Sequence, residues 1–258
     1  MKRHCGVVIG LVLGGLVLSG PAYADLIGFW KFDEGSGETA ADSSGQGKDG
    51  TIVNPTKGLG PGGSVWVQDP QRGSVISFGG TASGAYVRVG ADIIPAMKFD
   101  TNFTWAFWAK QAPGFGVNNI IVGNRMNINA ADFSPREFIK FTPTQFEFHA
   151  NAVGTDNLNY PDIPTGVWMH HVVVKNGPVL IYYRNGVVVG TQPQTLELNN
   201  PQPLFMGGDN EGAAGENWTG YLDNVRIYNE ALSPQAVLQL YLSEGPASVN
   251  PAEWEAQH

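Results

Sequence analysis

The sequence has 258 residues, with 34 Gly, 17 Pro, a single Cys and a formal net charge of −8. Cys5 lies at the extreme N-terminus, so thiol redox chemistry, disulfide cross-links and zinc–cysteine sites are excluded from the rest of the chain. An acidic chain without a basic run is also a poor ligand for nucleic acid or anionic lipid.

Residues 1–24 read as a secretory leader. Lys2 and Arg3 supply positive charge, 6–18 is an apolar run, and Ala22-Tyr23-Ala24 places small residues where a signal peptidase reads. The run is too short for a bilayer, which needs roughly 20 residues, and no later stretch reaches that length. Cleavage after Ala24 leaves 234 residues from Asp25 onward and moves the formal charge to −10.

The remainder is one all-β domain, expected over 25–244, followed by a polar tail over 245–258. Aromatic residues make up 11% of the chain and charged residues only 15%, so it can bury a core and is not disordered. In chain order, apolar runs of strand length fall at 26–32, 75–78, 85–89, 103–108, 120–122, 138–141, 146–148, 167–174, 179–183, 187–189, 204–206 and 221–228. Turn residues separate them. Over 103–108, Phe-Thr-Trp-Ala-Phe-Trp alternates large and small side chains with the strand period. Asn185-Gly186 between two β runs predicts a tight hairpin. A second hairpin is expected around Pro143-Thr144. Its register puts Ile139, Phe141, Phe146 and Phe148 on one face and Phe138, Lys140, Glu147 and His149 on the other. One helix is expected over 233–241, capped by Ser233, with Pro234 at its first position and Leu232 packing on Val237.

Several motifs resemble those of bacterial laminin-G-like domains. These are LIGFWKFDEGSG at 26–37 with ADSSGQGKDGT at 41–51, FTWAFWAK at 103–110, WMHHV at 168–172 with IYYRNG at 181–186, and GYLDNVRIYNEALS at 220–233. The resemblance covers about 26–242 and implies the concanavalin A-like lectin/glucanase class, a two-sheet antiparallel jelly roll. It also implies a structural calcium, held by Asp33, Asp42 and Asp223 with a carbonyl near Gly50. Oxygen donors in flexible loops are what calcium takes. The competing reading makes Asp33 and Asp42 Asx-turn acids and Asp223 a strand-end acid.

Catalysis finds little support in these residues. Glucanases of this class carry an E-x-D-x-x-E strand motif, which is absent here. Glu147 is expected opposite Lys140, an ordinary cross-strand charge pair. His170 and His171 point to opposite sheet faces and cannot share one ion, so one is expected packed inward and the other at least half-exposed. The domain is therefore expected to be non-catalytic.

Sugar recognition needs aromatic faces and polar groups on loops. The loops over 111–119, 124–136, 151–161 and 209–218 are rich in both. Asp209, Asn210, Asn217 and Trp218 form one candidate cluster. Arg125 and Asn127, with Asn129, form a second, and Lys140 and His149, with Glu147, a third. The alternative is that these are solvated loops and that Trp218 closes the core. The expected partner is a glycan. An extracellular protein is the alternative in an adhesion or scaffold role, and a hydrolase or lyase is third.

Overall fold

The computed structural model describes residues 25–94, 98, 100–125, 137–150, 156–194, 196–199, 202–209 and 215–245. Residues 1–24, where a leader is expected, and 246–258 of the expected tail lie outside the described residues. In chain order the strands are β1 (Leu26–Trp30), β2 (Thr39–Ala40), β3 (Gly50–Val53), β4 (Trp66–Asp69), β5 (Gly73–Gly79), β6 (Tyr86–Ile94), β7 (Phe103–Gln111) and β8 (Val122–Gly123). They continue with β9 (Glu137–Phe141), β10 (Gln145–Ala150), β11 (Leu158–Asn159), β12 (Trp168–Asn176), β13 (Val179–Arg184), β14 (Val187–Pro193), β15 (Gln202–Met206) and β16 (Thr219–Tyr228). The helix α1 (Pro234–Glu244) follows. Among the described residues no helix is long and apolar enough to cross a membrane.

The strands form two antiparallel sheets. Sheet A runs β14-β13-β12-β7-β16-β5-β4, with β1 also paired to β16. Sheet B runs β11-β10-β9-β8-β15-β6-β3-β2. Phe107 of β7 meets Phe141 of β9 edge to face at 4.7 Å, and Trp105 meets Phe146 of β10 edge to face at 6.1 Å. Each such aromatic pair adds about 0.5–1.5 kcal/mol beyond its burial. These residues lie in one continuous core between the sheets.

The two expected hairpins form in the expected register. Phe141 faces Phe146, Lys140 faces Glu147 and Phe138 faces His149. Asn185 and Gly186 take φ of 52° and 80°, the left-handed geometry of a two-residue hairpin, and Arg184 pairs with Val187. The Ser233 hydroxyl accepts the Ala236 N–H and caps α1.

The helix changes what sheet A can bury on its outer face. Val237, with Leu232 and Leu240, packs on Ala106, Val172, Val174 and Tyr183. Further along that face Trp108, Trp168 and Val75 cluster with Tyr221 and Tyr241. Strands β7 and β12 are thus apolar on both sides, as covered strands are. His170 and His171 do point to opposite faces, but both are buried, which corrects the expectation that one would be exposed. The His170 ring stacks against Trp108 at 5.2 Å and Tyr241 at 6.2 Å. His171 Nδ1 lies 2.7 Å from the Tyr182 hydroxyl on the core side.

Candidate functional site

Part of the expected loop clusters is assembled on the outer face of sheet B. Arg125 forms a buried ion pair with Asp209 and lies 3.6 Å from a carboxylate oxygen of Glu216. Lys140 donates to the other Glu216 oxygen at 2.6 Å and approaches Glu147 at 3.3 Å. It also donates to the Asn118 carbonyl at 3.2 Å. The His149 ring stacks on Phe138 at 4.7 Å. Arg125, Lys140 and Asp209 are therefore joined, but through Glu216, which the sequence reading did not single out. Both cations are thus engaged by carboxylates in one largely buried network. Asn127 and Asn210 lie outside the described residues, as does Asn129.

Trp218 and Asn217 are fully buried. Gly220 allows the close approach of Trp218, because a Cβ there would lie 2.3 Å from the indole ring. Trp218 sits in the inter-sheet core and offers no ring face to a ligand, which corrects its assignment as a sugar-stacking residue.

The calcium set fares differently. Asp42 Oδ1 accepts the N–H groups of Phe29 and Ser44, each at 2.9 Å. Its Oδ2 accepts the Ser44 hydroxyl at 2.8 Å and the Lys48 N–H at 2.9 Å. Burial raises the Asp42 carboxyl, but these donors outweigh it and hold the pKa below the usual aspartate value. Asp223 accepts Arg72 Nε at 2.5 Å. Asp33 is exposed, and Gly50 pairs within β3 against β2 and β6. Among the described residues no group of three or more His, Cys, Asp or Glu is placed to hold a metal. Of the donors named for calcium, Asp42 and Asp223 are already engaged in hydrogen bonds and an ion pair and Gly50 lies in the strand ladder, which leaves the exposed Asp33 and makes a poor cage for an ion that takes six to eight oxygens. The expected result is that a chelator leaves the melting temperature of the metal-free-buffered protein unchanged. A drop of several degrees, reversed by calcium, would contradict this reading.

A cavity opens instead on the outer face of sheet A. Its volume is about 310 Å³ and it is lined by Gln71, Arg72, Trp108, Gly166, Val167 and Trp168. Trp108 and Trp168 come from neighbouring strands β7 and β12, where Lys110 pairs with Trp168 and Trp108 with His170. Gln71 and Arg72 come from the turn between β4 and β5. Gly166 and Val167 lie just before β12. Val167 is 49% exposed, so an apolar side chain stands at the rim. The Arg72 guanidinium lies over Trp108 at 4.2 Å and over Trp168 at 5.5 Å. Lys110 Nζ lies 5.0 Å from the Trp168 ring and forms an ion pair with Asp69.

A network fixes the wall of this cavity. Arg72 also donates to the Glu244 carbonyl at 3.1 Å, and Trp108 Nε1 donates to the Glu244 carboxylate at 3.0 Å. The second Glu244 oxygen pairs with Arg226. Burial pushes the Asp223 carboxyl up to about 7 against the opposing Arg72 charge, and burial also raises Glu244. Neither acid is among the residues that line the cavity. The sequence reading treated Trp108 and Trp168 as strand residues only. One signal was present. With strand period 2, Trp108 must face away from Trp105 and Phe107, leaving a large aromatic on an outer face.

Two antiparallel sheets packed face to face with one short helix define the concanavalin-like class of sandwiches. The family model Laminin_G_3, concanavalin A-like lectin/glucanases superfamily, matches residues 79–238, and the chain belongs to this family. Among solved structures, domain 4 of AbnA, a GH43 extracellular arabinanase from Geobacillus stearothermophilus, in complex with arabinotriose, is similar with a TM-score of 0.62 and 18% identity. That match covers 84% of this chain and 98% of that one. The binding domain of botulinum neurotoxin DC in complex with SialylT is similar with a TM-score of 0.59 and 13% identity, over 86% of this chain and 51% of that one. A Trypanosoma rangeli sialidase is similar with a TM-score of 0.54 and 15% identity, over 85% of this chain and 33% of that one. At these identities the likeness is one of fold.

Proposed function

We propose that the protein is exported and acts as a non-catalytic carbohydrate-binding module. The observation that carries this reading is the cavity on sheet A, where two indole rings meet a glutamine amide and an arginine. Sugars present apolar C–H faces and hydroxyl edges, and a concave site with aromatic walls and a few placed polar groups answers both. The leader over 1–24 supports export. That the arabinanase domain and the toxin binding domain are described with sugar ligands supports the same class of partner.

The non-catalytic part rests on the acids. Glu147 is engaged by Lys140 and by the Gln145 amide at 2.7 Å. Asp223 and Glu244, the carboxylates with raised pKa, are tied to Arg72, Arg226 and Trp108 and have no opening onto the cavity. Glycoside hydrolysis needs two carboxyl groups flanking the bond to be broken. Fold alone is neutral on this point, because it serves binding and catalysis alike.

A protein-docking role is favoured by a different observation. Strand β14, at the edge of sheet A, exposes Val188 and Val189. Edge strands with exposed apolar side chains invite pairing. The test that separates the readings is a glycan array probed with the purified protein, run beside a hydrolysis assay on the same polysaccharides. Retention on defined glycans without turnover is expected. No retention on any glycan by folded protein would overturn the carbohydrate reading, and release of reducing ends would overturn the non-catalytic one.

A further inference from the structure

Resting on the carbohydrate reading, we infer that the sheet A cavity is a subsite for a single neutral sugar residue, held between the Gln71 turn and Val167, and that it discriminates against acidic sugars. Three observations carry this.

The first is shape. A cavity of about 310 Å³ bounded by two turns takes one ring or a ring and part of its neighbour, not a long chain. Its floor is aromatic: Trp108 is held rigidly by its Glu244 hydrogen bond and the Arg72 guanidinium over its face. Trp168 is 9% exposed, with Arg72 and Lys110 over its ring, so it walls the cavity without presenting an open ring face.

The second is charge. Above about pH 7, where Asp223 is ionised, the cations around the cavity are matched by carboxylates: Arg72 with Asp223, Lys110 with Asp69, and Arg226 with Glu244. A uronate or sialate carboxylate entering here must either compete with the buried Asp223 for Arg72, the cation that lines the cavity, or lose its hydration with no cation in return. Breaking a buried pair or burying an unpaired charge is strongly unfavourable. Hydroxyl groups require neither.

The third is the supply of neutral hydrogen-bonding groups. Gln71 is exposed and offers both a donor and an acceptor. Gly166 and Val167 also line the cavity, with the Gly166 N–H already donated to the Gln111 carbonyl. This set suits hydroxyls and contains no unmatched charge.

The test uses a glycan array carrying neutral arabino-, xylo- and cello-oligosaccharides beside galacturonan and sialylated oligosaccharides. It is followed by titration calorimetry of the strongest hits with wild-type, Val167→Arg and Gln71→Ala protein. Far-UV circular dichroism confirms the fold of both variants, whose sites are at the surface. Neutral hits whose affinity falls at least about tenfold in Val167→Arg, and measurably in Gln71→Ala, are expected. Acidic glycans binding as well as neutral ones would overturn the charge argument. Neutral hits bound equally by wild type and both variants would overturn the site while leaving the carbohydrate reading standing. Absence of every hit would remove that reading and, with it, the subsite.

Discussion

Replacing Lys140 by Met should cost the protein about 3 kcal/mol of stability, at the lower end of the range for breaking a buried ion pair. Lys140 is nearly inaccessible, and its ammonium serves Glu216, Glu147 and the Asn118 carbonyl. Methionine fills the space of the aliphatic stem, so packing changes little and the loss is electrostatic. Glu147, with 11% of its side chain exposed, is left without its cation, whereas Glu216, at 27%, reaches water in part. Adding Glu147→Gln to the variant removes one stranded charge and should recover part of the loss. Urea unfolding of wild type, single and double variants measures this. A single-variant loss below about 1 kcal/mol, the worth of a surface pair, would show that the cluster is solvated rather than buried.

The pH dependence of stability should be set in opposite directions by two groups on the outer face of sheet A. Burial, with the charges of Arg226 and Arg72 adding to it, drives the His170 pKa down to about 3. His171 is lowered as well, chiefly by burial. Below pH 6.5 the unfolded chain takes up protons that the folded imidazoles refuse, so this contribution to stability falls as the pH falls from 6.5 towards 3. Asp223, raised to about 7, behaves conversely. Between its unfolded value near 3.8 and about 7 the folded state keeps a proton that the unfolded state has released. Its contribution is complete below 3.8 and is lost as the pH rises through 7.

Variants separate the two. Changing His170 to Phe keeps an aromatic ring between Trp108 and Tyr241 but removes the titration. Comparing pH 8 with pH 4.5, that variant should gain about 2–3 kcal/mol on wild type, the linkage over two pH units. Asp223→Asn should show the reverse sign: its stability relative to wild type should be better at pH 8 than at pH 4.5. Parallel pH profiles for wild type and the His170 variant would mean that the imidazole titrates normally.

Much of the fold was legible because it rests on local signals. The alternation over 103–108, the Asn185-Gly186 turn and the Ser233-Pro234 cap each specify their element with few competitors. The hairpin around Pro143-Thr144 was readable to the residue because a slip of one position would turn Phe141 and Phe146 outward. Strands β3 and β4 escaped notice. They are four residues each; β3 takes its main partner from β6, more than thirty residues on, and β4 pairs with β5 across a turn of three residues, Pro70 to Arg72, that carries no Asn-Gly signal. Missing β4 also hid the Gln71–Arg72 turn.

The site was less legible for the same reason. Arg125, Lys140 and Asp209 were found because charged side chains near loops draw attention, but whether a charge is free depends on a third residue. Glu216 arrives from a segment 76 residues beyond Lys140. Trp218 looked like a ligand platform beside polar residues, and only the sheet pairing shows it turned into the core. The cavity needed three separate segments around positions 71, 108 and 167. No spacing rule links them. They meet because β7 separates β12 from β16, and β16 carries β5 and β4 alongside.

The most direct measurement is a crystal structure of the protein with its strongest array glycan. The account predicts one sugar ring in the sheet A cavity between Gln71 and Val167, with hydroxyls bonded to the Gln71 side chain, and no acidic group at Arg72. A glycan seated instead on sheet B beside Arg125 and Lys140, with the sheet A cavity empty, would contradict it.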